Sequence, residues 1–155
     1  MPKVVSPDQQ LASFIDKFTP EIASLTNEVL AKMRSRYPTA IELVYDNYNA
    51  LAICFSPTER PSDGIFSIAV YPKWVSLFFL QGATLPDPKR LLKGSGSVVK
   101  HVVLPSPMAL DEKDLVGLMT RATKAARVPF DKKGEHRLII KSISAKQRPR
   151  RPPKQ

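Results

Sequence analysis

At 155 residues, 43% of them apolar, the chain is long enough for one domain and too apolar to be disordered throughout. Its longest apolar run, "WVSLFFL" at 74–80, is far shorter than a bilayer span, and "MPKVVSPDQQ" lacks the basic region and apolar core of a signal peptide. The net charge of +10 sits at one end: residues 121–155 hold twelve Lys and Arg against two acids, while residues 1–120 hold twelve of each sign. That asymmetry makes a directional field, a different thing from a uniformly basic surface.

Ser6-Pro7 reads as an N-cap and first helical residue, followed by an apolar stripe of Leu11, Phe14, Ile15 and Phe18 at helical spacing. Thr19-Pro20 repeats the start signal, so a second helix begins there, with Ile22, Leu25, Val29 and Met33 inward and an end near Tyr37-Pro38. The spacing predicts a bent helical hairpin. From residue 40 the period becomes two. "AIELVYD" puts Ile41, Leu43 and Tyr45 on one face with Glu42 and Asp46 on the other, where they read as an ordinary exposed face; "DNYN" turns the chain into "ALAICFS".

"SPTERPSDG" is a loop by composition. "IFSIAVY" aligns Phe66, Ile68 and Val70, and "WVSLFFL" aligns Val75, Leu77 and Phe79, with Pro72 and Lys73 between the two runs as a tight hairpin. Next come a short helix over "DPKRLLK" closed by Gly94, a strand "VVKHVVL", and a helix from Asp111 to Arg127 with Leu115, Leu118, Met119, Ala122 and Ala126 inward. "RLIIKSI" at 137–143 makes a sixth strand, and "RPRRPP" is expected to stay extended and mobile. The expected fold is α+β: a mostly antiparallel sheet of five or six strands, packed against the N-terminal helical hairpin and a C-terminal helix. Residues 1–145 form one domain, and 146–155 a basic Pro/Arg-rich tail.

The stretch from "YDNYNALAICF" through "YPKWVSLFFLQGA" and "LLKGSGSVVKHVVL" resembles the YdhG-like family, a large bacterial group of unknown function. The resemblance covers roughly residues 10–125 and implies an α+β domain with a mostly antiparallel sheet packed on helices. It brings no established active site. Some members of the wider group are described as frataxin-like iron chaperones, a role that needs clustered carboxylates on an open acidic surface. Here Asp16, Glu21 and Glu28 are interleaved with Lys17, Lys32, Arg34 and Arg36, so iron binding is the least favoured reading.

His101 and His136 have no neighbours at ligand spacing, and no cofactor motif is present. Cys54 lies in an apolar run without a thiol-enzyme signature; a buried structural thiol and a reducing, cytoplasmic compartment are expected. No catalytic residue is assigned, and the oligomeric state is left open. Two places remain for binding. Gly94, Ser95 and Gly96, with Arg90, Lys93 and Lys100 around them, can present backbone N–H groups and positive charge to a phosphate or small molecule, although the order helix-then-glycine is the reverse of a phosphate loop. A C-cap is the plainer alternative. Lys141, Lys146, Arg148, Arg150, Arg151 and Lys154 make an arm for a polyanion such as nucleic acid, or else a solubilising tail. Trp74, at a hairpin end, either stacks on a ligand ring or closes the core. The favoured function is a non-catalytic binding module with a polyanion partner and no membrane partner.

Overall fold

In the computed structural model, which describes residues 5–153, the first two helices begin at the expected signals. Ser6 caps α1 (Pro7–Ile15) through a reciprocal capping box with Gln9, and Thr19 caps α2 (Pro20–Arg36), which ends at Tyr37. Five strands follow: β1 (Ile41–Asp46), β2 (Leu51–Ser56), β3 (Phe66–Val70), β4 (Val75–Phe79) and β5 (Lys100–Leu104). They form an antiparallel meander, since each successive pair runs in opposite directions. Helix α3 (Lys113–Ala125) then leads to β6 (Arg137–Ile143). The strand order is β5-β4-β3-β2-β1-β6.

β6 pairs with β1 in parallel, so the six-stranded sheet is mixed. The connection explains this. β5 points the same way as β1, and the chain must return from one sheet edge to the other; a helical crossover does that and delivers β6 parallel to its neighbour. A one-residue bulge at Lys141 lies in this pairing, because Val44 faces Ile140 while Tyr45 faces Ser142.

All three helices pack on one face of the sheet. Val44, Ile53, Ile68, Leu77 and Val102 stand in register across β1 to β5 and meet Leu11, Val29, Met33 and Leu118 from the helices. Glu42 and Asp46 share that inward face and are fully buried, which overturns the exposed-face reading of "AIELVYD". Each is tolerated because it is paired. Arg34 grips Glu42 through two bonds of 2.8 Å, and His136 Nε2 lies 2.5 Å from the same carboxylate. Hydrogen bonding by Glu42 raises the Arg34 pKa against the opposing effect of burial.

Two further expectations are corrected. "DPKRLLK" is not a helix. The Asp87 carboxylate accepts from the backbone N–H groups of Leu91 (2.9 Å) and Leu92 (2.8 Å), competing with helical bonding, and Arg90 adopts a positive φ of 52°. Asp111 is not the cap of α3: Glu112 holds that position, and α3 stops at Ala125. The Asp111 carboxylate instead joins Lys32 (2.5 Å) and Arg36 (3.2 Å), tying the end of α2 to the approach to α3.

Among the described residues no α-helix packs on the opposite sheet face. At one end Ile41, Leu43 and Cys54 are sealed by Leu80 and Ile139. Burial pushes the Cys54 thiol up to about 11, so it is protonated and shielded at neutral pH. Cys54 is therefore expected to react slowly with a chromogenic disulfide reagent in the native protein and at the free-thiol rate in denaturant. Fast native labelling would show an access route that the packing lacks.

Candidate functional site

The glycine turn at 94–96 is exposed and works as a connection. Lys93 pairs with His101 through backbone bonds of 2.8 and 2.9 Å, so residues 94–100 close a loop onto the start of β5. Gly94 has φ +116°, a conformation glycine takes without a Cβ penalty; a Cβ there would also lie 3.3 Å from His101 Nδ1. The flanking cations do not converge. Lys100 Nζ donates to the Gly94 carbonyl (2.7 Å), and Lys93 Nζ to the Arg90 carbonyl (3.4 Å). Since no helix precedes Gly94, its C-cap reading falls together with that helix. Ser95 and Gly96 lie exposed at the tip.

The basic tail is only partly a free arm. Beyond β6, the Ser144 N–H donates to the Asp46 carbonyl (2.8 Å) and the Arg148 N–H to the Tyr48 carbonyl (2.9 Å), so residues 144–148 run along the β1–β2 turn. Arg150 is 5% exposed. It donates to the Asp46 carboxylate (2.9 Å) and the Asn47 carbonyl (2.5 Å), and lies over the Phe18 ring. Lys17 completes the Asp46 pair at 2.9 Å and also donates to the Gln147 amide oxygen. Arg151 reaches the Lys17 and Asp16 carbonyls just past α1, where a cation meets the negative end of the helix.

The expectation of a mobile "RPRRPP" is thus corrected for its arginines. A buried carboxylate that needs a cation supplies an anchor which composition does not reveal. Lys141, Lys146 and Arg148 remain exposed; Lys154 lies outside the described residues.

Trp74 is 43% exposed and stacks on Tyr71 with ring centroids 4.7 Å apart. One ring face is thereby occupied within the β3–β4 hairpin. Among the described residues no three His, Cys, Asp or Glu side chains gather to hold a metal ion, and no helix is long and apolar enough to cross a membrane.

The feature that a residue-by-residue search misses is the open end of the helix-free sheet face. Ala52, Ala69 and Ser67 are small residues at outward positions of β2 and β3, and they floor a shallow groove. Tyr48, Tyr71 and Phe78 rise around it, with Asn47, Asn49 and Ser144 adding polar groups, and none of the lining residues is acidic. His101 stacks on Phe78 at 5.0 Å, extending the aromatic surface across β4 and β5. Arg148 lies over the Tyr48 ring, 5.6 Å from its centre, holding a cation at the groove's rim. The docked tail therefore places part of its charge beside an aromatic platform. A usable sequence signal existed: outward residues that are alternately very small and aromatic, on strands whose inward residues are uniformly large and apolar.

Comparison with protein-family models, with curated proteins and with solved structures finds no match for this chain.

Proposed function

We propose that this chain is a non-catalytic binding module of YdhG-like type that takes single-stranded nucleic acid across the open sheet face. The observation that carries the reading is the groove of Tyr48, Tyr71 and Phe78, free of acidic lining and rimmed by Arg148. Aromatic faces accept bases of any identity, whereas exposed cations beside them neutralise phosphates; together these recognise a single strand with little sequence preference. Lys146 follows Ser144 at the same rim, and Lys141 marks the β6 bulge beside Tyr45. Arg150 and Arg151 are given to the fold in this reading, holding the rim cations in place.

Titration of labelled single-stranded DNA and RNA at several salt concentrations tests it. Changing Lys146 and Arg148 together to Gln is expected to flatten the log–log salt dependence by about 1.4, since each single-strand phosphate contact adds about 0.7. Tyr48→Ala and Phe78→Leu are each expected to cost about 1–3 kcal/mol if the ring stacks on a base. Binding that is absent at low salt, or equal in all these variants, would remove the sheet face from consideration.

A further inference from the structure

A second cleft, which shares no lining residue with the sheet groove, lies between the loop that joins β2 to β3 and the end of α3. It measures about 540 Å³, within the range of small-molecule sites. Its floor is apolar and mostly buried, with Ile65 just before β3, Phe79 from β4 and Leu85 beside them. The α3 wall owes its hollow to residue size. Leu115, Leu118 and Met119 fill the core along the first turns of this helix, but Ala122, Ala125 and Ala126 follow on the cleft side and leave space that longer side chains would occupy.

The opposite wall is held in shape before any ligand arrives. Thr58 Oγ1 donates to the Asp63 carboxylate (2.7 Å), Ser56 Oγ donates to the Arg60 carbonyl (3.3 Å), and the Arg60 N–H donates to Thr58 Oγ1 (3.1 Å). Gly64 lies so close to the sheet that a Cβ there would approach Cys54 Sγ to 2.5 Å, so the loop is seated tightly against it. Preorganisation of this kind reduces the entropy lost on binding.

Charge then selects the occupant. Arg60 enters the lining from the loop and Arg127 from just beyond α3, and neither guanidinium has a carboxylate within ion-pair distance among the described residues. Among the described residues Asp63 is the only acidic one in the lining, and one of its oxygens is engaged by Thr58. Ser62, Thr84 and Gln81 add neutral hydrogen-bonding groups at the rim. Guanidinium groups pair with planar and tetrahedral oxyanions through two parallel N–H bonds.

We propose that this cleft binds a small organic anion, a carboxylate or phosphate on an apolar body, with the body against Ile65, Phe79 and the α3 alanines and the anion held by Arg60 and Arg127. The site is separate from the sheet groove and stands whether or not that groove binds nucleic acid.

The test is a titration of the ¹⁵N-labelled full chain followed by amide chemical shifts. The probes are 4-phenylbutyrate and phenyl phosphate, their neutral counterparts 4-phenylbutanamide and phenol, and inorganic phosphate. At least one of the two aryl anions is expected to shift Gly64, Ile65, Ala126 and Val128 saturably, and to bind at least tenfold tighter than its neutral counterpart and than inorganic phosphate. In the Arg60→Gln, Arg127→Gln double variant that affinity is expected to drop at least tenfold. Ala125→Phe, at an exposed helix position, is expected to fill the hollow and abolish binding while the remaining amide spectrum is retained. Absence of saturable shifts with both aryl anions would overturn the proposal. So would equal affinity for the neutral analogues or for inorganic phosphate, or unchanged binding in either variant.

Discussion

Arg150→Ala is expected to destabilise the fold by about 3–5 kcal/mol, a large effect for a residue five positions before the last of the sequence. Asp46 is fully buried on the inward face of β1, and Arg150 is its most enclosed partner. Removing the guanidinium leaves a buried carboxylate whose one remaining ion-pair partner among the described residues, Lys17, is itself half-exposed, and leaves the Asn47 carbonyl without its Arg150 donor. The contact over the Phe18 ring goes as well. Arg150 is not thereby a net gain over an apolar residue, because its Nε and second terminal nitrogen are buried without a hydrogen-bond partner among the described residues. Replacing Asp46 by Leu and Arg150 by Met together is therefore expected to recover most of the loss.

The pH dependence follows from the same contacts. Burial works to raise the Asp46 pKa, but hydrogen bonding from Gln147, Lys17 and Arg150 outweighs it, and the native carboxyl titrates below its ordinary value of 3.8. A lowered native pKa contributes stability above the unfolded value and loses it as pH falls toward the native one. The difference between wild type and Arg150→Ala should thus be full at neutral pH and shrink below about pH 4. Urea denaturation at several pH values measures it, and limited proteolysis after residue 146 reports release of the tail. A change under about 0.5 kcal/mol, the usual range for a surface substitution, would show that Arg150 is not anchored.

The elements that could be read in advance are those specified within a few residues. Ser6-Pro7 and Thr19-Pro20 set helix starts, and β3 and β4 alternate cleanly because one face meets the core. β1 misled because its two faces are both covered: β2 and β6 flank it, helices lie over Glu42, Val44 and Asp46, and Leu80 and Ile139 lie over Ile41 and Leu43. Polar identity then suggested solvent, whereas the partners that keep Asp46 inside come from positions 17, 147 and 150. No local pattern encodes a partner 104 residues away. Val44 was the one local warning, an apolar residue between two acids on the same face. The parallel position of β6 is equally non-local, for it depends on where α3 carries the chain. The helix expected over "DPKRLLK" failed at Arg90 and Asp87, where side-chain bonding and a positive φ override a sequence of good helix formers.

Leu77→Ala is expected to cost about 2–5 kcal/mol, the range for a buried leucine whose cavity the surroundings fill only in part. Leu77 has no exposed surface and stands in the inward row between Ile68 of β3 and Val102 of β5. Rigid strands on both sides hold the backbone, so little collapse into the cavity is available, which favours the upper half of the range. A comparison variant sharpens the test. Val103→Ala deletes methyl groups on the next strand but on the outward face, where Val103 is 47% exposed, and is expected to change stability by no more than about 0.5 kcal/mol. The contrast depends on register alone, because a slip of one residue in β4 or β5 would exchange inward and outward side chains throughout the strand. Thermal and urea melts of the two variants decide it. If Leu77→Ala proves mild while Val103→Ala proves severe, the helix-covered and open faces have been exchanged, and the aromatic groove on Phe78 would be core, not binding surface.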